Sequence, residues 1–290
     1  MHVLVSGGTG FIGKPLVERL LTLGHSVTVV SRTPAKVGRM FGDKPAACSI
    51  DALPDAFDGV INLAGASLDQ RWTSKYKKVL VESRVRATET LRKAAEERGA
   101  TAFISSSAIG YYGDRGEEAC TEDSAPGSDF LADICIQWEA AAASDKLRVA
   151  LVRTGVVLHH SGGALGAMLP IFKWFLGGRL GSGRQYWSWI HLDDIVRLFI
   201  WALENNDVRG PLNGSALNPV TNRKFTKTLA KAVHRPVSLP VPGFALRLLY
   251  GEMADMLLNG QKVLPSRTRS LGFSFDYDTL KEALESAIGS

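Results

Sequence analysis

Apolar and polar residues fall into blocks that define elements before any motif is considered. Residues 2–6 (HVLVS) are a short apolar run, the mark of a buried strand. From Phe11 to Leu23 the apolar positions Phe11, Ile12, Leu16, Leu20, Leu21 and Leu23 recur at helical spacing, and Gly24 closes that helix. Residues 26–31 (SVTVVS) are β-branched and predict a second buried strand. Strand, glycine turn, helix and strand in this order predict a parallel βαβ unit. The alternation continues with a strand at 59–63, a long Lys/Arg/Glu-rich helix over about 72–98, and a strand at 101–106. An Ala-rich helix near 129–144 and a strand at 147–153 follow. The pattern is α/β and doubly wound through about residue 160.

The texture then changes. Residues 161–189 interleave seven glycines with Trp174, Trp187 and Trp189, which predicts a flexible cover over a site rather than one regular element. His191–Leu203 returns to helix, with Asp193 and Asp194 in its first turn where they complement the dipole. Beyond about 221, helices and short strands are punctuated by Pro236, Pro240, Pro242 and Pro265. The expected organisation is a nucleotide-binding domain over 1–160, rejoined by 189–215, and a smaller substrate-type domain from 161–188 and 216–290.

Composition narrows the function class. With 290 residues, 45% hydrophobic and 22% charged, the chain has the profile of a globular protein with a large core. A net charge of +5, scattered in sequence without a polybasic run, gives no reason to expect a nucleic-acid partner. Cys48, Cys120 and Cys135 have no metal-ligand spacing and cannot all pair, which points to a reducing compartment. The chain enters its first strand without a secretory leader, and no apolar window reaches spanning length. The expectation is a cytoplasmic protein with a small-molecule substrate, no membrane partner and no metal.

The chemistry starts at Gly7, Gly10 and Gly13. A strand feeds this G-x-x-G-x-x-G turn and a helix leaves it, so backbone N–H groups and the positive helix end can receive a pyrophosphate. Where the second strand ends, an NAD site usually offers Asp or Glu to the ribose 2′-hydroxyl. Here Ser31 and Arg32 stand instead, and a guanidinium matches a 2′-phosphate that an acid would repel. The cofactor expected is NADP(H). Thr33 and Pro34 also fit the cap and first position of a following helix, and both roles can hold together.

Five segments, GGTGFIG at 7–13, NLAG at 62–65, SSSAIGYYG at 105–113, RTGVVL at 153–158 and WIHLDDIV at 189–196, resemble the extended short-chain dehydrogenase/reductase superfamily, which is NAD-dependent epimerase/dehydratase-like. The block at 239–273 is similar to the C-terminal block of one atypical branch, the epimerase family proteins. The resemblance spans almost the whole chain. It implies a doubly wound parallel Rossmann sheet with a smaller C-terminal substrate-type domain. It would place Gly7, Thr9, Gly10, Phe11, Ile12 and Gly13 around the pyrophosphate, with Asn62, Leu63, Ala64 and Gly65 along the adenosine and ribose. Arg84 would reach the cofactor, unless it is a solvated helix charge beside Arg86. Ser105, Ser106 and Ser107 would end a strand beside the nicotinamide ribose, and Val156, with Gly155 and Val157, would line the nicotinamide end. A homodimer of the family's common kind would pack the 72–98 and 129–144 helices against a mate.

One part of the pattern is missing. Superfamily enzymes usually carry Tyr and Lys four residues apart on the helix after the serine strand, yet no Tyr or Lys occurs from 121 to 145. Registering Glu139 on the family's later helical acid puts Leu131 and Cys135 in those positions. Three readings follow. An oxidoreductase or epimerase could use Ser107 with Tyr111 or Tyr112 as proton donor, although both tyrosines equally suit packing. The chain could bind NADP(H) as a sensor without turnover. An isomerase could draw its acid and base from His191 and Lys173. Cys135 reads as a small buried helix residue, His159-His160 lacks metal geometry, and Trp187 with Trp189 suits either core packing or a substrate wall.

Overall fold

The computed structural model describes residues 1–289. The chain opens β1 (His2–Ser6), α1 (Gly13–Thr22), β2 (Ser26–Val30), α2 (Pro34–Phe41), β3 (Ala46–Cys48), β4 (Gly59–Asn62), α3 (Ser74–Glu97) and β5 (Ala102–Ala108). A 3₁₀ turn at Ile109–Tyr112 and β6 (Ala119–Cys120) lead to α4 (Phe130–Ala142), β7 (Arg148–Thr154) and β8 (Val156–Leu158). Then come α5 (Gly163–Lys173), β9 (Tyr186–Trp187), β10 (Trp189–His191), α6 (Leu192–Glu204) and β11 (Gly210–Gly214). The remainder holds β12 (Val220–Thr221), α7 (Asn222–Ala232), α8 (Gly243–Tyr250), α9 (Asp255–Leu258), β13 (Lys262–Val263), α10 (Ser266–Ser270) and α11 (Leu280–Ile288).

Seven parallel strands form the central sheet in the order β11-β7-β5-β4-β1-β2-β3. The order reverses direction between β1 and β4, and open α/β sheets bind ligands at such a switch point, beyond the strand C-termini. Both faces are covered, as parallel strands with unbroken apolar runs require. Val3, Val5, Val29 and Ile104 pack on α1 and α6 from one side; Leu4, Val60 and Phe103 pack on Leu91, Ala95 and Ala142 of α3 and α4 from the other. Arg148 is buried within this frame because its guanidinium donates to the carbonyls of Ala202 and Leu203 at the end of α6 and of Val208 just beyond it.

A second core gathers Leu165, Leu169 and Phe172 of α5 with Trp187, Trp189, Phe225, Leu229 and Leu284. Two expectations change here. The glycine-rich stretch is not irregular throughout, because α5 occupies 163–173; its buried residues lie at i, i+4 and i+7, and that stripe outweighs the glycines and Pro170. Trp187 and Trp189 are core residues, not a substrate wall. Trp187 sits 4.8 Å from the Phe225 ring, and the Trp189 indole donates to Asn218 O at 3.1 Å. Among the described residues no helix is long and apolar enough to cross a membrane.

Candidate functional site

The glycine turn is shaped by contacts that exclude side chains. Gly7 has φ +69°, and a Cβ there would lie 2.7 Å from Leu63 O. A Cβ on Gly13 would lie 2.1 Å from Gly7 O, so only glycine lets α1 start against the end of β1. The turn is closed by Gly10 N–H donating to Gly7 O and Lys14 N–H to Gly10 O, both at 2.9 Å. Among the described residues the N–H groups of Phe11, Ile12 and Gly13 have no acceptor, and no side chain caps α1. Three donors and the positive helix end therefore converge on one point. The Phe11 ring packs on Gly162 and Gly163, whose Cβ atoms would each fall 2.8 Å from it, so the start of α5 closes over the turn. Thr9 and Ile12 are half-buried beside it.

At the end of β2, Ser31 Oγ accepts from Thr33 N–H at 3.1 Å, which fixes the chain as it enters α2 at Pro34. Arg32 is exposed, and its guanidinium makes no hydrogen bond or ion pair among the described residues. Across the switch point, Asn62 is completely buried. Its Oδ1 accepts from Ser6 Oγ (2.5 Å) and Ala64 N–H (3.2 Å), while Nδ2 donates to Thr88 Oγ1 (2.7 Å) and Ser105 Oγ (3.4 Å). The Asn62 and Ser105 side chains thus hold the 62–66 loop from beneath. Leu63 and Ala64 are half-buried and Gly65 is exposed on that loop. Arg84 is buried, not solvated. It donates to Leu80 O (3.0 Å) and Ala66 O (3.1 Å), stacks 5.2 Å over Trp138, and underlies Gly65. Burial lowers its pKa, and among the described residues no carboxylate pairs with it.

The third group surrounds the ends of β5 and β7. Ser107 Oγ donates to Glu139 Oε1 at 2.7 Å. Arg153 clamps the same carboxylate through Nε to Oε1 (2.8 Å) and Nη2 to Oε2 (2.9 Å), a bidentate pair. Its Nη1 donates to Tyr112 Oη (3.0 Å) and Glu122 O (3.1 Å), and its plane lies 3.5 Å over the Tyr111 ring. Burial alone would lower the Arg153 pKa, but the Glu139 carboxylate more than reverses that and raises it. Tyr112 Oη donates to Asn213 Oδ1 at 2.7 Å. Tyr112 is fully buried, its hydroxyl is engaged by Asn213 and Arg153, and desolvation pushes its pKa up to about 12. Ser107 is also closed in, 1% exposed. Tyr111 is half-buried, and its hydroxyl makes no hydrogen bond among the described residues. Ser106 and Val156 are half-buried at the same end of the sheet.

Cys135 and Leu131 face this group from α4. A Cβ on Gly110 would lie 3.2 Å from Leu131 Cβ, and Cys135 Sγ points at Ala108 O at 3.6 Å. Burial pushes the Cys135 thiol up to about 12, so it stays protonated and is no nucleophile. His191 lies elsewhere: its Nδ1 caps α6 by accepting from Asp193 N–H at 3.1 Å, its ring stacks on Tyr277, and burial lowers its pKa. Lys173 is exposed at the end of α5. The sequence reading missed Glu139 and Arg153 as partners. The signal available was a charge, Glu139 or Arg153, set beside apolar and small residues in each of two elements, LADICIQWEAAA and RVALVRT.

Residues 3–213 match the NAD dependent epimerase/dehydratase family, and 241–287 match a domain of unknown function, DUF1731. The chain is 42% identical over 297 residues to "Epimerase family protein SDR39U1 homolog, chloroplastic" of Arabidopsis thaliana, covering 98% of this chain and 86% of that one. It is 39% identical over 297 residues to human "Epimerase family protein SDR39U1", covering 99% and 100%. The crystal structure of human SDR39U1 isoform 2 with NADPH superposes with TM-score 0.92 at 38% identity, covering 99% of each chain. UDP-glucuronic acid 4-epimerase from Bacillus cereus shares the fold, with TM-score 0.79 at 18% identity over 99% of this chain and 98% of that one.

Proposed function

The chain belongs to the NAD dependent epimerase/dehydratase family, and from that premise we propose that it binds NADP(H) and acts on a small molecule as an oxidoreductase of epimerase type. The observation that carries this is the convergence of three unsatisfied N–H groups at Phe11, Ile12 and Gly13 with an unpaired Arg32 beyond the next strand. The glycine turn fits a pyrophosphate, and Ser31 with Arg32 fits a 2′-phosphate. The NADPH in the human relative's structure supports the same assignment. When bound, the cofactor supplies hydride transfer at its nicotinamide ring. The chain's own residues hold and orient: Arg84 braces the 62–66 loop, and Glu139 with Arg153 fixes Ser107. Of the groups considered for moving a proton, Tyr111 alone keeps a hydroxyl that no other residue occupies.

Arg32→Glu tests the cofactor choice. Charge-assisted hydrogen bonds are worth about 1.5–3 kcal/mol, so NADPH should weaken by about 10- to 100-fold while NADH barely changes. Equal losses for both nucleotides in a fluorescence titration would remove the NADP(H) assignment. A second reading, an NADP(H) sensor without turnover, is favoured by one specific observation. Ser107 is locked to Glu139, and α4 presents Leu131 and Cys135 where the superfamily usually carries its Tyr and Lys. Screening NADPH oxidation over carbonyl and sugar-nucleotide panels separates the two. If turnover is found, Tyr111→Phe should lower kcat by at least about 100-fold; tight cofactor binding with no turnover selects the sensor. Three free thiols fit a reducing, cytoplasmic setting.

A further inference from the structure

A run of exposed large apolar side chains lies far in sequence from the nucleotide residues. Trp174, Phe175 and Leu176 follow α5, while Val237, Leu239, Phe244, Leu248 and Leu249 run from the α7–α8 connection through α8. Trp174 is 78% exposed, Leu239 82%, Phe244 76% and Leu248 80%, so these side chains project instead of lining a groove. The two runs adjoin. Ser238 N–H donates to Gly177 O (2.8 Å), Val241 N–H to Arg179 O and Gly181 N–H to Val241 O (both 2.9 Å). Arg235 ties them further, donating to Lys173 O at 3.3 Å and lying 4.8 Å over the Phe175 ring. On α8, Phe244 and Leu248 are one turn apart, and Leu246 is the residue turned inward.

Charge is segregated onto the same lobe. Residues 161–192 and 215–251 contain nine of the 34 Lys and Arg and none of the 29 Asp and Glu, although α11, packed on α7 in the same core, adds Glu282 and Glu285 to that lobe. Lys173, Arg179, Lys231, Arg235 and Arg247 accompany the apolar run, and the acid reaching it is Asp255, 3.3 Å from Arg247. We propose that this face docks peripherally on an anionic lipid bilayer. Contiguous exposed apolar patches mark interaction sites. Trp, Phe and Leu seat at the boundary of headgroups and acyl chains, and neighbouring Lys and Arg are drawn to anionic lipid. A symmetric second copy suits the face poorly, because it would set Lys173, Arg179, Lys231 and Arg235 against their own counterparts while Asp255 is already paired with Arg247. The sequence expectation of no membrane partner rested on the lack of a spanning segment, and a peripheral face requires none.

The test is co-sedimentation of the full chain with vesicles of phosphatidylcholine alone and of an equal mixture with phosphatidylglycerol. Partition onto the anionic vesicles should be at least about tenfold higher, and added salt should weaken it. Trp174→Ser with Leu248→Ser should lower that partition by about tenfold or more, and Lys231→Glu with Arg247→Glu should abolish the anionic preference. Unchanged circular dichroism and NADPH binding in these variants confirm that the fold is intact. Four results would overturn the proposal. They are no sedimentation with either vesicle, equal and salt-insensitive partition onto both, a dimer in ultracentrifugation that Trp174→Ser dissociates, or binding to polyglutamate but to neither vesicle.

Discussion

At the scale of single residues, the site is governed by what is already occupied. Tyr112 and Tyr111 are adjacent, with rings 5.4 Å apart, yet one is a sealed hydrogen-bond donor and the other is open. Burial holds the Tyr112 proton to about 12, above its value of about 10 in the unfolded chain. The native state therefore binds that proton more tightly. The stability it contributes is complete below pH about 10 and drains as the pH rises towards about 12. Tyr112→Phe should flatten the alkaline limb of a melting-temperature profile. At neutral pH it should cost about 1–2 kcal/mol, because Asn213 Oδ1 and Arg153 Nη1 each lose a partner. If the alkaline limb is unchanged in chemical or thermal unfolding, the phenol is not the titrating group. The sequence could not separate these two tyrosines. Which one turns inward depends on Asn213, 101 residues away, and on the Arg153 guanidinium, neither of which leaves a local trace.

At the scale of elements, the glycine turn shows how a strand and a helix are pressed together until side chains are excluded. A Cβ on Gly13 would meet Gly7 O at 2.1 Å, and nothing there is a flexible chain end that could move aside. A Cβ on Gly10 would meet the same carbonyl at 3.1 Å, a contact that a small shift relieves. Gly13→Ala should therefore displace the start of α1, costing about 1–3 kcal/mol of stability and at least about tenfold in NADPH affinity. Gly10→Ala should cost clearly less in both calorimetry and nucleotide titration. Equal effects of the two substitutions would mean that the turn is not set by this contact. The βαβ elements were legible because their periods are local: β1, β2, β4, β5 and β7 each carry a short apolar or β-branched run, and α3 and α4 end within two residues of their expected limits. The helix α5 was obscured by Gly162, Gly163 and Gly166, since its stripe at Leu165, Leu169 and Phe172 becomes decisive only when a second core exists to receive it. The two-residue strands β6 and β13 were invisible for a related reason. They pair Lys262 with Ala119 and Val263 with Cys120, and residues so far apart share no sequence period.

At the scale of the whole molecule, Glu122 joins the sheet to the C-terminal block. Its buried carboxylate accepts from Asn213 N–H at the end of β11 (3.1 Å), from Arg267 and Thr268 N–H on α10 (3.0 and 3.2 Å) and from Thr268 Oγ1 (3.1 Å). Its backbone carbonyl accepts from Arg153, which holds Glu139 and through it Ser107. One continuous polar path therefore runs from the serine at the end of β5 to α10. Such networks are cooperative when fully satisfied and costly when a member is removed. Glu122→Ala leaves three backbone N–H donors without a partner, while Thr268 Oγ1 keeps Asn213 O, and should destabilise the protein by at least about 3 kcal/mol. The loss should also be uneven. In hydrogen exchange, residues 260–289 should lose protection before β1, β4 and β5, whose cores do not depend on this carboxylate. Saturating NADPH binds the native sheet side and raises its stability by about 2.7 kcal/mol at one hundred times Kd. In the variant that gain should protect the sheet while the C-terminal block still exchanges, whereas in the intact protein both should be protected together. Uniform loss of protection in Glu122→Ala would show that the lobes are coupled by their apolar contacts alone and that the carboxylate is a local fastening.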